Sequence, residues 1–153
     1  MTGRRWKTRL LHLYFLLRRP VTLGVRVVVT DEESRVLLVR HSYVAGWHLP
    51  GGGVEHGETA MVAVYKELLE ETGVEPLNEP ELIGVLANQR ASSRDHVLLY
   101  RCREWHQKQP FKPSNEVLET GFFDPAGLPE ETTGPTRARI EEILQNKPVS
   151  RLW

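Results

Sequence analysis

Residues 51–74 read GGGVEHGETAMVAVYKELLEETGV, and this stretch decides the fold prediction. Three consecutive glycines are costly inside a regular element, so they predict a specialised loop. Residues 59–71 favour a helix, and Gly73 follows where a left-handed glycine commonly ends one. The stretch therefore predicts a loop followed by a helix. On the helical wheel, the side expected to pack into the core is the larger apolar one, which holds Met61, Val62, Tyr65, Leu68 and Leu69.

Glu67, Glu70 and Glu71 share an arc of about 100° on this helix. Like charges at such spacing each destabilise a helix by roughly a few tenths of a kcal/mol, and only Lys66 lies nearby to offset them. Mg²⁺ or Mn²⁺ would supply the missing positive charge, because these cations prefer oxygen ligands. A solvated acidic surface is the alternative. The glycine loop directly before the helix favours the metal, because it lets backbone approach a ligand closely.

The spacing of this stretch resembles the Nudix box, the signature of the Nudix hydrolases. Gly52 is followed after five residues by Glu58 and after seven more by Lys66, which opens the run KELLEETGV. One fixed position differs from the family pattern, because Lys66 stands where the pattern has arginine. Lysine keeps the positive charge and lacks the planar fork that could hold a glutamate through two hydrogen bonds.

The resemblance implies an α/β protein with the Nudix fold, an α/β/α sandwich around a mixed β-sheet. We expect a single Nudix domain over residues 20–153, preceded by an extra N-terminal helix over residues 1–19 that ends near Pro20. Apolar runs predict the strands, and the first two of them predict a hairpin. The expected elements beside the box helix are strands at 21–30, 36–39, 81–87 and 96–101 and a last helix at 136–146.

The resemblance also implies a set of site residues. Glu70 and Glu71 would be the principal metal ligands, and Glu67 would be a further ligand or the residue that activates water. Lys66 would orient the site, while Gly52, or Gly51 beside it, would offer a backbone carbonyl to the metal. Glu58 matches an upstream glutamate that supports the site.

Family members often recruit one more acidic residue from outside the box. Glu116 is the favoured candidate for a metal ligand or base here, and Glu119 is the alternative. Arg40 and Arg90 are candidates for binding substrate phosphates, although an ordinary surface charge is the simpler interpretation of each. Tyr43 or Trp47 could stack on a base, although Trp47, close to Leu49, is more typical of core or loop packing.

The implied activity is Mg²⁺-dependent hydrolysis of the pyrophosphate linkage in a nucleoside diphosphate derivative, such as a nucleoside triphosphate or a nucleotide sugar. The attacking group would be a metal-activated water. A hypothesis from another class is a non-catalytic nucleotide-sensing module that keeps the Nudix fold. Such a module would be expected to have lost glutamates of the box, and this chain retains all four.

The overall composition indicates which binding partners and which cellular compartment to expect. The 20 basic and 20 acidic residues among 153 give no net charge, so no specific nucleic-acid partner is indicated. The lone Cys102 excludes an internal disulfide and a zinc site of several thiolates, and it is typical of a reducing compartment. A cytoplasmic location is therefore expected.

The first 30 residues carry seven basic side chains and no acidic one. Their apolar run, residues 10–17, is far shorter than the roughly 20 residues that span a membrane. We expect this segment to pack on the domain or on a second subunit, which would make a homodimer. The alternative is peripheral contact of a basic helix with a membrane surface.

Overall fold

The computed structural model describes residues 3–153; Met1 and Thr2 and the side chains of residues 3–5 and 7 lie outside the described part. The chain forms three α-helices, eight strands and one 3₁₀ turn within that part. In chain order these are α1 (Gly3–Arg18), β1 (Thr22–Val29), β2 (Val36–His41), β3 (Trp47–His48), α2 (Ala60–Thr72), β4 (Val74–Pro76), β5 (Glu81–Ala87), β6 (Asp95–Cys102), β7 (Trp105–Gln107), β8 (Val117–Phe123), the 3₁₀ turn Pro125–Gly127 and α3 (Gly134–Leu144).

The strands form mixed and antiparallel sheets. One sheet has the order β1-β6-β5, in which β1 runs parallel to β6 and β5 runs antiparallel to it. The second has the order β3-β2-β8 and is antiparallel, and β4 pairs with β7 in a short antiparallel ribbon. This arrangement of sheets and helices confirms the predicted α/β class.

The predicted hairpin between the first two strands is wrong. β1 and β2 lie in different sheets and share only an isolated bridge between Thr30 and Val36. Both strands are apolar and largely buried, so each satisfies its backbone with other partners inside the protein. A valine-rich run indicates a strand, but its partner depends on the tertiary fold.

Two apolar clusters lie on opposite sides of β1. Val25 and Val27 pack in one cluster with Ala63, Val64 and Leu68 of α2. Val28 packs in the other with Leu49 of the glycine loop region and with two residues of α3, Ile140 and Ile143. Helix, sheet and helix therefore form three layers, as predicted.

The buried face of α2 differs from the predicted one. Ala63, Val64 and Leu68 are buried together with Glu71, whereas Val62 is 53% exposed. Small residues on this face let the helix approach β1 closely. Leu68 is buried as predicted, and the other members of the larger apolar side are partly or largely exposed. As a result, the glutamates project along the edge of the core-facing side of the helix.

The predicted boundaries of α2 are confirmed. Thr59 caps the N-terminus, and its Oγ1 accepts a hydrogen bond from the backbone N–H of Val62 at 3.2 Å. Gly73 ends the helix with φ of 74°, and its N–H donates to Leu69 O at 2.9 Å. A Cβ on Gly73 would lie 2.1 Å from Gln109 O, so only glycine fits there.

The N-terminal helix α1 stands out from the domain. Its apolar side chains from Leu10 to Leu17 are all exposed, and Arg19 lies 5.3 Å from the ring centre of Phe15. Within residues 3–153, no helix combines the length and the apolar character needed to cross a membrane.

Candidate active site

The glycine loop runs along the outer edge of β1. Val25 N–H donates to Gly52 O at 2.8 Å, and Val27 N–H donates to Pro50 O at 3.0 Å. Gly51 has φ of 138°, and a Cβ there would lie 2.1 Å from Val25 O. Any side chain at Gly51 would therefore force the loop away from the strand.

Glu71, at the end of α2, reaches back to this loop. Its Oε2 accepts a hydrogen bond from the Gly51 N–H at 2.7 Å, and the residue is only 8% exposed. Burial raises the pKa of Glu71 to about 7, and the charges of Glu67 and Glu116 act in the same direction. The Gly51 hydrogen bond and the charge of Arg26 oppose the rise. Glu71 is thus a buried carboxyl whose anionic form needs a further positive partner.

The carboxylate of Glu67 lies directly against Gly52. A Cβ on Gly52 would sit 2.6 Å from Glu67 Oε1, so this glycine leaves room for the carboxylate. Burial raises the pKa of Glu67, and the charges of Glu70 and Glu58 contribute, while those of Lys66 and Arg26 oppose it. Glu67 and Glu71 therefore flank the same glycine loop.

Lys66 connects two glutamates of the box. Its Nζ lies 3.2 Å and 3.4 Å from the two carboxylate oxygens of Glu58 and 3.7 Å from Glu67 Oε1. Glu58 also accepts a hydrogen bond from the backbone N–H of Glu55 at 2.6 Å, and this bond is the main cause of its lowered pKa. One ammonium group thus occupies the position at which the family pattern has a guanidinium.

The remaining predicted ligands are exposed. Glu70 points away from the core, and its charge is felt by Glu67. Glu116 precedes β8, where its carbonyl accepts from Ser42 N–H at 2.9 Å, and its charge contributes to the raised pKa of Glu71. Gly52, Glu67 and Glu71 therefore form the centre of the site, and Glu70 and Glu116 lie at its rim.

The donor set fits a hard divalent cation. All the candidate ligands are carboxylate or carbonyl oxygens, which Mg²⁺ and Mn²⁺ prefer. Over residues 3–153, no three His, Cys, Asp or Glu side chains converge closely enough to hold a metal ion without further ligands. Mg²⁺ usually keeps several waters and binds through one or two carboxylates together with substrate phosphate, so an open set of this kind suits it.

Histidines to which the sequence assigned no role also line the site. His41 is buried, with Nε2 3.5 Å from Glu71 Oε1 and its ring centre 5.1 Å from that of Tyr43. Burial, together with the charges of Arg26 and His48, lowers the pKa of His41 to about 4. Its imidazole is therefore neutral near pH 7. No spacing in the sequence marked His41, because Glu71, the glutamate it approaches, lies on the distant helix α2.

Arg26 is the second residue that sequence reasoning missed. It lies on β1, and its charge affects Glu67, Glu71 and His41. A signal was present, because Arg26 is the one charged residue within the apolar run of β1. A charge that interrupts a buried strand indicates either a compensated ion or a ligand contact.

Arg40 and Arg90 have different surroundings. Arg40 on β2 forms an ion pair with Glu119 on β8. Glu119 is therefore already paired, which favours Glu116 of the two acidic candidates for a metal ligand or base. Arg90 is exposed in the turn between β5 and β6. Tyr43 is 72% exposed near Glu71, whereas the ring of Trp47 packs edge-on against Phe123 at 4.9 Å.

Known proteins resemble this chain in sequence. An RNA pyrophosphohydrolase from Legionella pneumophila (strain Corby) is 39% identical over 131 residues, which cover 86% of this chain and 66% of that protein. A Bacillus subtilis (strain 168) protein with a provisional name as an 8-oxo-dGTP diphosphatase is 38% identical over 76 residues, half of each chain. The chain thus spans between half and about two thirds of the length of these curated relatives.

The fold also matches solved structures. The MutT protein from Methanosarcina mazei Go1 superposes with a TM-score of 0.68 at 23% identity, covering 85% of this chain and 98% of that one. The family model described as the NUDIX domain matches residues 20–144, which include both core helices and the glycine loop. Because this match spans most of the sequence and includes the glutamates held at the glycine loop, the chain belongs to the Nudix family.

Proposed function

We propose that this protein is a Mg²⁺-dependent hydrolase that cleaves the pyrophosphate linkage of a nucleoside diphosphate derivative. One observation carries the proposal: the carboxylates of Glu67 and Glu71 are held against Gly52 and Gly51, and both have a raised pKa. Crowded, partly buried carboxylates of this kind are costly unless a cation joins them. Perturbed acids at a glycine loop are typical of a catalytic site.

The metal would be held by oxygen ligands from Gly52, Glu67, Glu70, Glu71 and Glu116, with Mn²⁺ able to replace Mg²⁺. When bound, the cation supplies an acidified water and offsets charge on the phosphate oxygens. The Gly52 carbonyl already accepts from Val25 N–H, and its second lone pair remains for a further partner.

We assign Glu67 as the base that accepts the proton of the attacking water. Its raised pKa brings it closer to the range in which a carboxylate acts as a base near neutral pH. Lys66 holds Glu58 on one side and approaches Glu67 on the other, so it would orient the base. Glu116, from outside the box, is the alternative base.

The substrate is proposed to be a nucleoside triphosphate or a nucleotide sugar. The names of the relatives include a diphosphatase for 8-oxo-dGTP and a pyrophosphohydrolase for RNA, which supports a nucleotide. Arg40 and Arg90 are proposed to bind its phosphates, and the exposed ring of Tyr43 beside Glu71 suits stacking on a base. With nucleotides as substrates and a single buried thiol at Cys102, we place the protein in the cytoplasm.

A substrate panel tests the proposal. Full-length protein is incubated with nucleoside triphosphates including 8-oxo-dGTP, nucleotide sugars, dinucleoside polyphosphates, coenzyme A and 5′-triphosphate RNA, in Mg²⁺ or in EDTA. We expect hydrolysis of at least one compound in Mg²⁺ alone, abolished by Glu70→Gln. Glu32→Gln, in an exposed turn, is the control and should retain turnover. Nucleotide binding without turnover of any compound would instead support the non-catalytic sensing module.

For the N-terminal segment, we propose that α1 forms a contact between two copies of the chain. Leu13 and Leu17 fall on the apolar side of the helix and are exposed, which leaves that side uncovered by the rest of the domain. Dimerisation would bury this apolar side.

Two neighbouring leucines test this role of α1. Leu17 is 72% exposed on the apolar side, and Leu16 is 69% exposed on the polar side. We expect Leu17→Glu to shift the molecular mass in light scattering from dimer to monomer, and Leu16→Glu to leave it unchanged. A monomeric wild type that floats with anionic liposomes, and a Leu17→Glu variant that does not, would replace the dimer with the membrane-surface helix.

A further inference from the structure

Arg26 lies in the apolar strand β1 with its side chain on the opposite face from α2. Val25 and Val27 on either side of it pack against α2, while Val28 packs in the other apolar cluster with Leu49. Because side chains alternate along a strand, Arg26 shares the face of Val28. That face is the one turned away from α2.

The glycine loop brings Arg26 to the glutamate site. The position of a Cβ on Gly51 is 3.1 Å from Arg26 Cα, so the loop passes directly beside this part of the strand. The charge of Arg26 opposes the rise in the pKa of Glu67 and Glu71, and it contributes to the lowered pKa of His41 and His48. Arg26 thus lies close enough to these four groups for its charge to act on each of them.

The guanidinium of Arg26 has an unused donor. Its Nη1 is buried and has no hydrogen-bond partner in the described part of the chain. Arginine stays protonated in proteins, so a buried N–H without an acceptor carries a full desolvation cost. The carboxylate of Glu71 does not relieve this cost, because Nη1 makes no hydrogen bond to it in the described part of the chain.

We propose that Arg26 binds a phosphate oxygen of the substrate's diphosphate group, at a subsite on the β1 side of the glycine loop. This inference rests on the proposed function and adds a ligand contact to it. A diphosphate supplies the acceptors that Nη1 lacks, and the planar guanidinium can hold two phosphate oxygens at once. Arg40, by comparison, is already paired with Glu119.

The competing explanation is that Arg26 only balances the charge of Glu67 and Glu71. Lysine would serve that purpose, whereas it cannot reproduce a forked contact with two oxygens. Arg26→Lys and Arg26→Gln therefore separate the two roles. Arg101 provides the matched control, because it lies on β6 of the same sheet, is partly buried and has a buried Nε without a partner in the described residues.

Binding of inorganic pyrophosphate to full-length protein in Mg²⁺ is measured by titration calorimetry, and Mn²⁺ affinity is measured separately by electron paramagnetic resonance. We expect both Arg26 variants to weaken pyrophosphate binding by about tenfold to a hundredfold. Arg101→Gln should leave it within about twofold. Mn²⁺ affinity should be unchanged in Arg26→Lys and equal or higher in Arg26→Gln, because the latter removes a positive charge.

An Arg26→Lys variant that binds pyrophosphate as tightly as wild type would overturn the inference. So would an Arg26→Gln variant whose Mn²⁺ affinity falls as much as its pyrophosphate affinity. The readout is independent of turnover. Arg26-dependent pyrophosphate binding without hydrolysis of any panel compound would support the subsite and reject the proposed activity. Hydrolysis with unchanged binding in both Arg26 variants would reject the subsite alone.

Discussion

Glu71 Oε2 accepts a hydrogen bond from the backbone N–H of Gly51 at 2.7 Å, which ties the last turn of α2 to a loop 20 residues earlier in the chain. This bond fixes one oxygen of a buried carboxylate and leaves Oε1 on the side of His41, 3.5 Å from its Nε2. The orientation of Glu71 is therefore set by the fold itself. Because the Glu71 carboxylate is already held in place, its side chain would not have to be ordered when a metal binds.

Gly52→Ala should weaken metal binding. The new methyl group would lie within 3 Å of the Glu67 carboxylate, which must then move, while the backbone of Gly52 does not have a positive φ and can accept alanine. We expect Mg²⁺ affinity to fall by about tenfold or more in titrations. Gly53→Ala is the control, because nothing lies within 4 Å of its Cβ position. Equal affinity in the two variants would show that the Glu67 carboxylate has no part in binding.

Removing the charge of Glu71 should change the pH dependence of stability in EDTA. The pKa of Glu71 is raised from 4.5 to about 7 in the folded protein. Between pH 4.5 and pH 7, the Glu71 carboxyl is already ionised in the unfolded chain but still protonated in the folded protein, so the free energy of unfolding falls as the pH rises. Above pH 7 this loss of stability is complete and no longer changes with pH. Glu71→Gln lacks this cost, which amounts to roughly 3 kcal/mol.

The melting temperature of Glu71→Gln relative to wild type should therefore rise between about pH 4.5 and pH 7, by on the order of 5 °C or more, and then level off. Glu32→Gln, at an exposed turn, should show no such trend. Mg²⁺ should raise the melting temperature of wild type more than that of Glu71→Gln. Parallel pH curves for wild type and Glu71→Gln would contradict the buried-carboxyl account.

Lys66→Met should reduce turnover. Methionine keeps an apolar chain of similar length but removes the ammonium that lies 3.2 Å from Glu58 and 3.7 Å from Glu67. We expect a fall in kcat of about tenfold to a hundredfold, as for other residues that hold metal ligands in place. Lys66→Arg should retain activity, and Lys108→Met, which removes a similar pair with Glu75 at the surface, is the control. An unchanged kcat in Lys66→Met would exclude an orienting role.

Cys102 should resist alkylation in the folded protein. Burial raises the pKa of its thiol to about 11, and the residue is almost fully enclosed. At pH 8 we expect iodoacetamide to react slowly with the native protein and quickly in urea, as followed by mass spectrometry. Because the chain has a single cysteine, every adduct reports this site. Rapid native labelling would show that the β6 end of the sheet opens.

The box helix was predictable because its signals are local. Thr59 and Gly73 mark its two ends, and the spacing of the glutamates locates the site within one segment. The partner of β1 was not predictable in the same way, because Thr22 pairs with Asp95, 73 residues away. Sequence periodicity carries no information on such a pairing.

Arg26 and His41 were missed for a related reason. Each lies in a largely apolar strand, and its relevance comes from groups that the loop and α2 bring to it. The prediction of the buried face of α2 was incomplete for another reason, because it used only the apolar area on the helical wheel. The close approach of Ala63 and Val64 to β1 decided that face instead.

The hydrogen bonds that join residues 50–54 to β1 have a consequence for how this protein can evolve. The loop occupies the strand edge that would otherwise offer unpaired N–H and C=O groups to a second chain. An insertion there that enlarged the pocket would also uncover a template for intermolecular strand addition and aggregation. We therefore expect the sequence changes that adapt the protein to new substrates to fall in the turns at residues 42–46 and 88–94. These turns can lengthen without breaking the hydrogen bonds that cover the edge of β1.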